Sequence, residues 1–115
     1  MPSDPAAVAL RDIAYHIDLA YHFVAGLGFE AFKKYLRTLY AVTRCLEIIS
    51  EASRRLPASL KQRHPSIAWR DMAAAGNIYR HEYEDVEASQ VWTAVQLALP
   101  PLKIVVDYEL AALDR

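Results

Sequence analysis

The sequence predicts an all-α chain, an up-and-down bundle of four to five helices, and three observations carry that prediction. Apolar residues recur at three- and four-residue steps through every long segment, the stripe of a helix that buries one face. No segment alternates apolar and polar residues between turn signals, as a strand would. The strongest turn signals, Gly26-Leu27-Gly28, Pro57, His64-Pro65 and Pro100-Pro101, fall between the stripes.

With 115 residues, 54% of them hydrophobic, the chain has apolar material for one packed core, so residues 1–115 read as a single domain. The lone cysteine, Cys45, excludes a disulfide framework. Its place amid helical spacing reads as a small buried side chain. No Cys/His spacing suggests zinc. The start M-P-S-D-P lacks the basic, apolar pattern of a leader, and no apolar run reaches about 18 residues, so a soluble cytoplasmic protein is expected. The net charge of −1 hides an asymmetry: residues 33 to 80 carry ten Lys and Arg against Glu47, Glu51 and Asp71, while the remainder to the end is mostly acidic. A basic middle can meet phosphates, although basic helix faces are commonly just solvated.

The first helix starts at Ser3-Asp4 before Pro5 and carries Ala6, Leu10, Ile13, Ile17, Ala20 and Val24 on one face before the glycines stop it. His16 and His22 are six apart and do not share a face as a ligand pair would. A longer stripe, Phe32, Leu36, Leu39, Thr43, Leu46, Ile49, Ser53 and Leu56, predicts one continuous helix from Phe29 to about Leu56, ended by Pro57. Within it Glu47 and Glu51 lack the Glu-x-x-His companion of a di-metal site, and Glu51 with Arg55 makes an i,i+4 ion pair. A short turn or helix follows over residues 58–63. Ser66 then caps a third helix bearing Ile67, Trp69, Met72 and Ala75. A fourth runs from about Glu87 to Leu99 with Val91, Val95 and Ala98 inward. Pro100-Pro101 forces a corner into a fifth, with Leu102, Val105, Val106, Leu110 and Leu113 inward.

Chemistry-bearing residues crowd into W-R-D-M-A-A-A-G-N-I-Y-R-H-E-Y-E-D-V, Trp69 to Val86, where the third helix is expected to give way to an acidic turn. Such boundaries combine a rigid support with access, which makes Asn77, Tyr79, Arg80, His81 and Tyr83 candidate site residues.

The ordered series L-E-I-I-S-E-A-S (Leu46 to Ser53), H-P-S-I-A-W-R (His64 to Arg70), G-N-I-Y-R-H-E-Y (Gly76 to Tyr83), V-W and L-P-P-L resembles the HepT-like branch of the HEPN superfamily over about residues 12 to 110. The resemblance implies an all-α homodimer that cuts RNA without metal or cofactor. It also implies a toxin whose antitoxin is an MNT-type nucleotidyltransferase. The family motif is an arginine, a polar residue, then a histidine four to six residues on, and a tyrosine two beyond it. Asn77, His81 and Tyr83 match, whereas Gly76 stands where the arginine is expected. In family members the tyrosine can receive AMP from the partner, which would assign that role to Tyr83.

Metal-free RNA cleavage requires a base for the 2′-hydroxyl, an acid for the leaving oxygen and a cation for the phosphorane. His81 suits either proton role. Arg80, four residues after Gly76, is expected to reach back over the glycine's turn and replace the missing arginine. One such histidine per chain, together with Trp69, Tyr79 and Trp92 in excess of core needs, predicts a homodimer. Two alternatives stand beside the nuclease: a HEPN protein that has lost cleavage and binds RNA, a nucleotide or its nucleotidyltransferase, and a helical assembly module.

Overall fold

The computed structural model describes residues 4–81 and 88–113, with residues 77–81 described by their backbone alone. All regular structure among them is helical: α1 (Pro5–Val24), α2 (Phe29–Lys34), α3 (Leu36–Arg54), α4 (Ala58–Arg63), α5 (Trp69–His81), α6 (Ala88–Thr93), a π-helical segment (Ala94–Ala98) and α7 (Leu99–Leu113). Four rods, α1, α3, α5 and the continuous run from α6 to α7, form the bundle. In it α1 packs on α3 and α7, α3 on α5, and α2 on α6.

Asp4 caps α1 by accepting from the Ala6 N–H at 3.0 Å, and Pro5 occupies the first turn, where its missing N–H costs nothing. The predicted stripe from Leu10 to Val24 is buried. Past the C-terminus Gly26 takes φ 78°, a left-handed conformation open to glycine. Leu10, Ile13 and Ile17 meet Val42, Leu46 and Ile49 of α3 and Val95, Leu102 and Val106 of the last rod in one core. Cys45 lies in it, and burial pushes its thiol pKa up, the setting of an inert cysteine.

The predicted continuous helix from Phe29 to about Leu56 is broken at Tyr35 (φ −102°, ψ 95°), whose N–H closes a tight turn on the Phe32 carbonyl. The cause is tertiary. Fully buried Phe32 packs on Trp92 of α6 with ring centroids 5.1 Å apart, so α2 turns toward α6 while α3 follows α1 and α5. Leu36, assigned inward by its spacing, is consequently exposed. The expected Glu51 to Arg55 pair is replaced: Arg55 reaches Asp12 of α1 at 3.0 Å, and Glu51 faces Arg54 at 3.9 Å.

Ser66 is not the cap of α5, which starts at Trp69 with Met72 N–H bonded to the Ala68 carbonyl. The intervening residues turn to bury Ile67. Nor do Pro100 and Pro101 make a corner. Each lacks the N–H that the carbonyl four residues back requires, and its ring crowds that carbonyl. The π segment widens the helix just ahead of them, with Leu99 N–H donating to the Ala94 carbonyl, and the rod continues. The extra residue in that turn moves the buried stripe from Val91 and Val95 to Leu99, Leu102, Val105, Val106 and Glu109, leaving Ala98 outside. Trp69 and Trp92 are packed against this core and are not surplus to it.

Candidate active site

The candidate residues ride on α5, which is anchored at both ends of its first two turns. The Trp69 indole N–H donates to the carbonyls of Lys61 (3.2 Å) and His64 (3.0 Å), a second donor for each beside the backbone N–H of His64 and of Ile67. One turn on, α5 meets α3. Arg54 donates to the Ala73 carbonyl through Nε (3.2 Å) and Nη2 (2.7 Å). Ser50 Oγ donates to the same carbonyl at 3.1 Å and accepts from the Gly76 N–H at 3.0 Å. Numbers rise along α5 as they fall along α3, so the two helices run antiparallel.

At Gly76 the two helices approach closely. A Cβ built on it would stand 2.9 Å from Ser50 Cβ and would collide with Ser50 Oγ. The missing motif arginine therefore has a local structural counterpart: the position is filled by a serine from the neighbouring helix.

Beyond Gly76 the helix persists through His81, so the site is helical where the sequence suggested a boundary with a loop. Ala73, Asn77 and His81 follow at steps of four, as do Gly76 and Arg80, and positions 77, 80 and 81 share one face. Tyr83 lies outside the described residues. Two contributors were missed in the sequence. Ser50 and Arg54, four apart on α3, are the residues that hold α5, and Arg54 brings a guanidinium to the turn that precedes Asn77. The signal was available in the small residues Ser50, Ala73 and Gly76, which permit close helix approach.

A model of the Ribonuclease HepT-like family matches residues 8–109. The chain belongs to the HepT-like family. A probable ribonuclease HepT of Thermococcus cleftensis is 40% identical over 82% of this chain and 86% of its own. Two candidate RNases of Methanocaldococcus jannaschii are each 29% identical over 90% of this chain, covering 85% and 89% of theirs. No solved structure matches significantly.

In this HepT-like chain the H-P-S-I-A-W-R segment supports the fold. His64 Nε2 and Glu109 Oε2 are 2.6 Å apart, and Arg63 donates to the same carboxylate at 2.8 and 3.4 Å. Buried Glu109 of α7 thereby ties down the end of α4, from which Trp69 is hung. The Arg63 hydrogen bond holds the Glu109 carboxyl below the ordinary carboxylate range against the opposing effect of burial, and the His64 contact adds to it. Among the described residues no three His, Cys, Asp or Glu side chains gather as metal ligands, and no helix is long and apolar enough to cross a membrane.

Proposed function

We propose that this HepT-like protein is the toxin of a toxin-antitoxin pair, an endoribonuclease in which a 2′-hydroxyl attacks the adjacent phosphate and the 5′-oxygen of the next nucleotide leaves, giving a 2′,3′-cyclic phosphate. His81 transfers the proton, Arg80 holds the phosphorane charge and Asn77 orients the phosphate. Residues 1–115 act as one domain, and two chains pair about a two-fold axis so that one shared cleft receives two proton-transfer groups, one His81 from each chain. An MNT-type nucleotidyltransferase silences the pair by moving AMP onto Tyr83, with both proteins in the cytoplasm.

The observation that carries this reading is the register of α5: the helix pinned to α3 at Ala73 and Gly76 continues through Asn77, Arg80 and His81 on one face. Rigid presentation of that kind is what positioning a phosphate requires. The ribonuclease names of the relatives support it. Exposed Ile104 and Tyr108, four apart on α7, give an apolar stripe that a second copy can cover.

The packed Gly76 favours one second reading, a member that binds RNA without cutting because the motif arginine is gone. Purified wild type and His81→Ala, incubated with RNA free of divalent ions, separate the two. The nuclease loses roughly 100-fold in rate on His81→Ala. Binding without cleavage by the wild type selects the second reading, and equal cleavage by both proteins removes His81 from the chemistry.

A further inference from the structure

We infer that the corner where α2 meets α3 is a docking surface for single-stranded RNA, an inference that rests on the RNA-directed reading above. The break at Tyr35 turns Tyr35, Leu36 and Tyr40 outward, with 56%, 61% and 58% of their surfaces exposed. Lys34, Tyr35, Leu36, Arg37 and Thr38 line a shallow groove there.

The charge at this corner is one-sided. No acidic residue occurs between Glu30 and Glu47. Those two are engaged, Glu30 with Lys33 at 3.0 Å and Glu47 with Arg44 at 3.7 Å. Lys34 and Arg37 are exposed and have no ion pair among the described residues. Cations without counter-charges beside flat exposed aromatic rings suit a chain of phosphates carrying stackable bases.

The corner also lies on the way to α5. Because α3 and α5 are antiparallel with Ser50 opposite Gly76, His81 stands at about the height of Cys45. Tyr40 and Leu36 are then about 7 and 14 Å further along the axis, at about 1.5 Å per residue. Arg54, Glu47, Tyr40 and Leu36 fall at steps of seven, seven and four, one face of α3. The acids on that side, Glu47 and Glu51, each lie within 4 Å of an arginine. A strand with a phosphate at the α5 face thus reaches the tyrosines within a few nucleotides.

The test uses the full chain and a labelled 12-nucleotide RNA made uncleavable by 2′-O-methyl groups, read by fluorescence anisotropy at several salt concentrations. Tyr35→Ala with Tyr40→Ala is expected to weaken binding by about 10-fold or more, since each stacked base contributes on that scale. Lys34→Glu with Arg37→Glu is expected to weaken it further and to flatten the log-log salt slope by about 1.4, the value for two phosphate contacts on a single strand. Arg11→Glu with Tyr15→Ala, the same residue types exposed on α1, is the control and should bind as the wild type does. Matching melting curves establish that the variants fold. Wild-type affinity in both corner variants, while RNA is still bound or cut, overturns the docking surface and leaves the ribonuclease reading intact. A wild type that neither binds nor cuts RNA overturns both. Corner variants that turn a dimer into monomers, or lose binding to an acidic peptide while keeping RNA affinity, reassign the surface to a protein and overturn the proposal.

Discussion

Ser50 and Gly76 are fitted to each other across the α3 and α5 contact: the serine hydroxyl accepts from the glycine N–H at 3.0 Å and donates to the Ala73 carbonyl at 3.1 Å. The hydroxyl could rotate away from an added side chain, but Ser50 Cβ, 2.9 Å from where a Cβ on residue 76 would be, could not.

Gly76→Ala should therefore destabilise the protein by about 1–3 kcal/mol through overpacking, although alanine in a helix interior ordinarily gains about 1 kcal/mol over glycine. Ser50→Gly should restore much of the loss in the double variant. A thermal-melt double-mutant cycle checks this, and additive effects would show that the two residues do not press on each other. The same logic makes Ser50→Gly with Gly76→Arg the fair way to rebuild the family motif.

Arg80→Ala is expected to remove nearly all cleavage and Arg80→Lys much of it, because a lysine point charge lacks the planar fork that grips a phosphate. Stability should change by less than about 1 kcal/mol, since arginine and alanine are both strong helix formers. Arg54→Ala should lower the rate less. Were it to lower the rate more, the clamp would be the guanidinium held at the Ala73 carbonyl.

Tyr83 is the proposed acceptor of AMP. Incubation with an MNT-type nucleotidyltransferase and ATP should add one adenylyl mass to the wild type and none to Tyr83→Phe, and RNA cleavage should fall in step with the adduct. An unchanged adduct on Tyr83→Phe would move the modification to another residue.

Glu109→Gln should cost about 1–3 kcal/mol at neutral pH, the scale of hydrogen bonds to a charged group. Its folded pKa is depressed, chiefly by the Arg63 hydrogen bond. The stability it contributes is therefore fully present above the unfolded value of about 4.3 and is lost as pH falls through the lower folded value. Melting curves at pH 7 and pH 3 should show the gap between variant and wild type narrowing in acid. A gap of constant size would mean that the carboxylate charge contributes nothing.

Helix class, the extent of α1 and the inward face from Thr43 to Ser53 were legible in the residues because each depends on a repeat within a few turns. The family was legible too, since its motifs recur in order along the chain. The candidate positions on α5 were legible in the crowding of polar residues near an expected helix end and in that motif, but what holds the helix was not. Arg54 appeared only as one of many basic residues, and Ser50 as one small residue in a stripe.

Periodicity along one axis determined where this chain coils and which face turns inward. It carries no record of what lies across the gap. Ser50 and Gly76 are 26 residues apart, and Arg63 and Glu109 are 46 apart. Only the folded chain brings them within hydrogen-bond reach. The break at Tyr35 and the π segment before Pro100 were decided the same way. Phe32 packs on Trp92, which turns α2 out of line with α3, and the core that holds Val95, Leu102 and Val106 lies on both sides of two prolines that would otherwise end the rod.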